Sequence, residues 1–172
     1  MLISVYPLEG AMSITFEDIK RNRKALLDKR DNRKFELQEL GRKLFHEYID
    51  SLALPAKTWT DANKIEREYV THGEMNEKGL FEQKALAAFH LDKDHRLKFR
   101  ISTVVDDSSF NGGSYYLIPI ALWKENGRLH VDIGDGKQTL MVSNPDEACA
   151  FYQVCAAIKQ QILSSLIDPR LD

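Results

Sequence analysis

Residues 115–142 read YYLIPIALWKENGRLHVDIGDGKQTLMV, and this stretch decides the fold. Asn126-Gly127 is the strongest hairpin signal in the chain, because both residues tolerate the positive φ that a two-residue turn between twisted strands demands. With that turn, Glu125 faces Arg128, Trp123 faces His130 and Leu122 faces Val131. Asp135-Gly136 supplies a second two-residue turn, which sets Val131 against Leu140 and His130 against Met141. The two registers agree, because Leu122, Leu129, Val131, Leu140 and Val142 then share one face. The stretch therefore reads as a three-strand antiparallel meander. Pro119, inside an otherwise apolar run, marks an edge or a bulge.

Upstream, Leu97, Phe99, Ile101, Thr103 and Val105 alternate with Lys98, Arg100 and Ser102, the period of a half-buried strand. Asp92-Lys93-Asp94-His95 is a turn leading into it from a strand ending at Phe89-His90-Leu91. Residues 81–88 read equally as strand or helix. Earlier still, Thr58, with Asp61 three residues on, and the stripe Ala62, Ile65, Tyr69 predict a helix over 59–72 that closes at Gly73. Residues 74–79 read as a loop. Downstream, Asn144 as N-cap, Pro145 at the first helical position and Glu147 in the first turn predict a C-terminal helix over 145–167. Its stripe is Phe151, Cys155, Ile158, Ile162 and Leu166, and Asp168-Pro169 ends it.

The N-terminal third is helical. Leu2 to Tyr6 predicts a short strand, and Thr15 caps a helical region over 15–53. Phe16, Ile19, Leu26 and Leu27 begin its apolar stripe, and Phe35, Leu37, Leu40, Leu44, Tyr48 and Leu52 resume it. Asp28 to Lys34 holds no apolar residue, so the region is either one long helix that projects into solvent or a helix pair. The fold class is α+β: this N-terminal long helix or helix pair, an antiparallel sheet of four to five strands over 84–142, and the C-terminal helix packed on the sheet. All belong to a single domain over 1–172. The helix–strands–helix order resembles that of small bacterial secretion chaperones in element order, and the long basic N-terminal helix departs from it.

The chain has 172 residues, 43% hydrophobic and 29% charged, with a net charge of −2. That composition excludes collagen-like, mucin-like and wholly disordered chains, and a polycation built for nucleic acid. Charge is segregated, however. Residues 20–43 carry ten basic and four acidic side chains, a local +6, and the remainder carries −8. The plainer reading is a solvated helix face with pairs such as Lys24 with Asp28 and Glu39 with Lys43. The sharper reading is a basic patch for phosphates or an acidic partner, formed by Lys20, Arg21, Arg23, Lys24, Lys29, Arg30, Arg33 and Lys34. Aromatic residues are absent from 17–34, so that stretch offers no platform for stacked bases.

No charged n-region precedes an apolar stretch, and the longest apolar run, Tyr115 to Trp123, is too short to span a bilayer. Cys149 and Cys155 lie six apart on the expected helix, about 9 Å along its axis, beyond disulfide reach. Reduced thiols and a cytoplasmic location are expected, with no membrane association.

Several motifs fail on chemistry. Gly134-Asp135-Gly136-Lys137 has Val131 where a phosphate loop needs Gly and Gln138 where it needs Ser or Thr, and it sits between strands. As a calcium loop it has Ser143 in the place of the bidentate Glu. Asn111-Gly112-Gly113-Ser114 lacks the glycine spacing of a nucleophile elbow. His90 and His95 flank a loose turn with Asp92 and Asp94, and no metal site or cofactor is expected. His130 and Asp132, two apart on a strand, share a face and are the best enzymatic pair, although any strand with one wet face looks the same.

One feature remains. Tyr115, Trp123 and Met141 lie beside His130 on the polar face of the meander. Large apolar groups there need covering, by the first helical region or by a partner, a second copy or a ligand. The leading expectation is a non-catalytic protein-interaction protein: an adaptor, chaperone, inhibitor or immunity-type binder, acting on a protein partner or itself. The alternatives are a nucleic-acid-associated regulator using residues 20–34, and a small enzyme or ligand-binding domain with His130 and Asp132 in a pocket.

Overall fold

The computed structural model describes residues 13–172, so the strand expected over Leu2 to Tyr6 lies outside the described residues. The chain divides into two compact units, Met1–Arg33 and Lys34–Asp172. A single helix, α1 (Phe16–Ser51), runs through both. No Gly or Pro interrupts it before Gly41, and Asp28 to Lys34 are helix-compatible polar residues, so nothing in the backbone breaks the ladder where the apolar stripe lapses. Thr15 caps it as expected: its hydroxyl accepts from the Asp18 amide at 3.2 Å, and the Asp18 carboxylate accepts from the Thr15 amide at 2.9 Å. The expected pairs of Lys24 with Asp28 and Glu39 with Lys43 do not form. The helix uses Glu17 with Lys20 at 3.6 Å, Asp18 with Arg21 at 3.1 Å, Glu39 with Arg42, and Lys43 with Glu47 at 4.0 Å. Three of these four are at i,i+3, one residue closer in sequence than the expected i,i+4 pairs.

In the unit Lys34–Asp172, a two-stranded ribbon of β1 (Thr58–Thr60) and β2 (Glu66–Glu68) precedes a six-stranded antiparallel sheet. The sheet comprises β3 (Val70–Met75), β4 (Phe81–Gln83), β5 (Leu97–Val104), β6 (Tyr115–Glu125), β7 (Arg128–Ile133) and β8 (Gln138–Val142), in the order β4-β3-β5-β6-β7-β8. The meander register is the one read from its turns: Trp123 pairs with His130, His130 with Met141, and Val131 with Leu140. Asn126 and Gly127 take φ of 52° and 73°, the values such a turn requires.

The sheet has six strands, not four or five, because the helix expected over 59–72 is not there. Asp61 closes a turn instead, accepting from the amides of Asn63 and Ile65 at 2.9 Å each, with Lys64 at φ 61°. Aromatic and β-branched residues on either side (Trp59, Val70, Thr71) then pair as strands, which their side chains favour. The stripe Ala62, Ile65, Tyr69 is a coincidence of spacing. Gly73 is no helix cap. It lies in β3 opposite Gln83, where a Cβ would stand 1.9 Å from the Glu82 carbonyl oxygen. Residues 74–79 are strand to Met75 and then a turn, and 86–88 form one 3₁₀ turn instead of leading into a strand at 89–91.

The second helix, α2 (Tyr152–Ser165), begins seven residues later than Asn144-Pro145 predicts. Residues 145–151 form turns, and Cys149 at φ 57° interrupts any helix there. The cause is tertiary. The Lys43 ammonium donates to the carbonyls of Pro145 and Glu147, and the Glu47 carboxylate accepts from the Phe151 amide at 2.9 Å. Side chains of α1 thus stabilise the turns and cap α2 where it enters the core. Both cysteines are free, as expected, but Cys149 lies outside the helix, so the helical-rise argument does not apply to it.

The core lies on one side of the sheet. Leu37, Leu44 and Tyr48 of α1, Phe151, and Ile158 of α2 are fully buried against Leu97, Ile101, Leu122, Val131 and Ile133. Gly41 lets α1 approach closely, since a Cβ there would sit 3.3 Å from Leu122 Cδ1. The Tyr48 hydroxyl shares a 2.8 Å hydrogen bond with Thr103, and the buried Gln38 amide donates to the Phe89 carbonyl at 2.9 Å. Burial of these polar groups is thereby matched by partners.

Candidate functional site

Strand periodicity sends alternate side chains to opposite faces. Leu97, Phe99, Ile120, Leu122, Leu129, Val131 and Ile133 take the core face, under α1 and α2. Lys98, Arg100, Pro119, Trp123, His130, Asp132, Thr139 and Met141 take the other. Of the covers expected for this second set, residues 34–51 of the first helical region are not one. Residues 34–51 of α1 pack on Leu97, Phe99 and Leu122, the opposite face. Met141 stays 46% exposed, and Lys98 and Thr139 are exposed.

On the uncovered face, Trp123, His130 and Met141 are in adjacent register on three strands. The His130 ring stacks on Trp123 with centroids 5.4 Å apart and planes 11° from parallel. The Arg96 guanidinium lies 4.1 Å from the centroid of the same indole, a cation–π geometry. Trp123 therefore contacts both Arg96 and His130. Arg128 Nη1 approaches Met141 Sδ at 3.8 Å. Tyr115 is on the same face but eight residues along β6, roughly 26 Å from Trp123 at strand rise. It lines a separate hollow of 650 Å³ with Trp59, Tyr69 and Phe81. The buried Trp59 Nε1 has no hydrogen-bond partner there.

A trough of 780 Å³ adjoins the Trp123 stack. Its floor is small (Pro119 and Ala121), one wall is Arg96, Lys98 and Arg100, and Asp132 and Asp135 stand opposite. Sequence reasoning missed Arg96 and the basic wall. The alternation of Lys98 and Arg100 was visible, but only the pairing of β5 with β6, which sets Lys98 beside Ala121 and Arg100 beside Pro119, joins them to Trp123.

His130 and Asp132 share a face, as expected, but no hydrogen bond joins them. The Asp132 carboxylate accepts from the Gly136 amide at 2.8 Å and from the Thr139 hydroxyl at 3.1 Å, bracing the β7–β8 turn. A carboxylate used in this way does not orient an imidazole as a base. Elsewhere, burial lowers the pKa of His72, whose Nδ1 donates to the Lys84 carbonyl at 2.7 Å. Burial pushes the Cys155 thiol up to about 11, which leaves it protonated and unreactive at neutral pH. Among the described residues no group of three or more His, Cys, Asp or Glu is placed to hold a metal ion.

The basic patch lies along α1. Lys20, Arg21, Arg23, Lys24, Lys29 and Arg30 are exposed, and Arg33 and Lys34 are half-buried. Phe16, Ile19, Leu26 and Leu27 are exposed in the same segment. Among the described residues no helix is long and apolar enough to cross a membrane. Comparison with known proteins finds no matching family model, no matching curated protein and no matching solved structure.

Proposed function

We propose that this is a non-catalytic protein-interaction protein of the cytoplasm whose partner, another protein or a second copy, seats on the uncovered face of the sheet. The observation that carries the reading is Trp123, in contact with both Arg96 and His130 beside the exposed Met141. Aromatic residues, Met and Arg are the types enriched at interface cores. An adaptor, chaperone, inhibitor or immunity-type binder needs this kind of face and no reactive group. The test places a photo-cross-linking amino acid at Met141 and, as control, at Lys78 in the β3–β4 turn, in cells that make the protein. A discrete polypeptide adduct at 141, absent at 78 and lost in Trp123→Ala, is expected. Equal labelling at both positions, or none at 141, overturns the reading.

A second reading rests on the exposed cations of α1, which suit a nucleic-acid backbone. It predicts oligonucleotide binding that weakens steeply between 50 and 200 mM salt, by roughly a thousandfold where six phosphates are neutralised. Binding should vanish in the quadruple variant of Arg21, Arg23, Arg30 and Arg33 to Gln. Salt-insensitive or absent binding removes it.

A further inference from the structure

The trough beside Trp123 has a chemistry of its own. Lys98 and Arg100 are two residues apart on β5, so they project along one wall about 6.6–7 Å apart, and Arg96, in the turn just before the strand, lines the same trough. Lys98 pairs with Asp92 at 3.1 Å. Neither the Arg96 nor the Arg100 side chain meets a carboxylate among the described residues. Guanidinium groups bind carboxylates in paired, directional hydrogen bonds. The spacing of Lys98 and Arg100 is that of alternate side chains on an extended strand. Across the trough stand Asp132 and Asp135, and Glu74, which pairs with Lys84 at 2.9 Å, also lines it. A uniformly charged phosphodiester backbone would be repelled along that side. A peptide can present carboxylates to one wall and neutral groups to the other.

We infer that the trough takes an extended acidic peptide segment, with carboxylates at alternate positions meeting Arg96, Lys98 and Arg100 and an apolar side chain seated against Trp123. This rests on the reading of the uncovered face as a protein-binding surface and names the chemistry of what binds it.

The experiment measures fluorescence anisotropy of labelled acetyl-Glu-Leu-Glu-Leu-Glu-amide against the full chain, with the Gln-for-Glu peptide and a twelve-residue oligothymidylate as comparators. The acidic peptide should bind at least tenfold more tightly than the Gln peptide. Arg100→Gln should weaken it about tenfold, the loss of one charge-assisted pair. Arg100→Lys should restore part of that loss, and Asp135→Asn should leave binding equal or tighter. An unchanged melting temperature in each variant confirms that the sheet is intact. Should the Gln peptide bind equally, or Arg100→Gln and Lys98→Gln both leave binding unchanged, the inference falls, and the reading of the face survives if the cross-link at Met141 persists. Oligothymidylate binding more tightly than the acidic peptide overturns the inference in favour of nucleic acid. Loss of both cross-link and peptide binding removes the inference and the reading together.

Discussion

The two halves of α1 carry similar local signals and meet opposite fates. In residues 16–33, Phe16 is 73% exposed and Ile19 59%. In residues 34–51, Leu37, Leu44 and Tyr48 are fully buried. Both halves have good helix formers, an apolar stripe at helical spacing and charge pairs one turn apart. What differs is the neighbour: the second half has Leu97, Phe99 and Leu122 against it. Periodicity therefore reports which side of a helix is apolar, and only tertiary pairing reports whether that side is covered.

The largest test of this contrast compares Leu44→Ala with Leu26→Ala in urea denaturation. Leu44→Ala opens a cavity under the sheet and should cost about 2–5 kcal/mol. Leu26→Ala should stay within about 0.5 kcal/mol, as expected for a solvated side chain. A comparable loss from both would break the comparison, and would mean that the exposed stripe is covered in solution. Tyr48→Phe comes next. It removes the partner of the buried Thr103 hydroxyl and should cost about 1 kcal/mol, read from the shift in the denaturation midpoint.

A smaller effect concerns His72, which packs edge-on to Phe45 of α1 at 4.5 Å. Burial depresses its pKa below the ordinary 6.5. The unfolded chain thus takes up the proton first as pH falls. Stability is complete above pH 6.5, declines as pH drops through that value, and levels off below the depressed folded value. The midpoint in urea, followed from pH 8 to pH 5 in the wild type and in His72→Asn, should fall more steeply in the wild type. Parallel curves would refute the assignment. Smallest is Thr15→Ala, which removes the hydroxyl of the N-terminal cap. Amide exchange should quicken over the first turns of α1 and leave residues 37–48 unchanged. A drop in the global midpoint would show that the two halves unfold together.

The meander was legible because its turns fix the pairing: once Asn126-Gly127 is the turn, Trp123, His130 and Met141 fall on one face by counting. The ribbon and β3 were not legible, because Ala62, Ile65 and Tyr69 happen to repeat at helical spacing and the pairing of Val70 with Thr103 spans thirty-two residues of intervening chain. At the candidate site, sequence supplied three of the clustered side chains and wrongly grouped Tyr115 with them, since face is set by parity but distance is set by strand length. Arg96 escaped because it precedes β5 in a turn, where period-2 reasoning does not apply.

The capping of α2 has a consequence for how this chain stores disagreement. Asn144, Pro145 and Glu147 spell a helix start, yet Lys43 bonds the carbonyls of Pro145 and Glu147 in turns, Glu47 accepts from the Phe151 amide, and the helix starts at Tyr152. The segment thus has two helical phrasings, one favoured by its own sequence and one imposed by side chains 104 residues away. Cut out as a peptide, it should adopt the longer one. Within the fold, the shorter one is the one that contacts from α1 favour, and local preference yields to tertiary pairing.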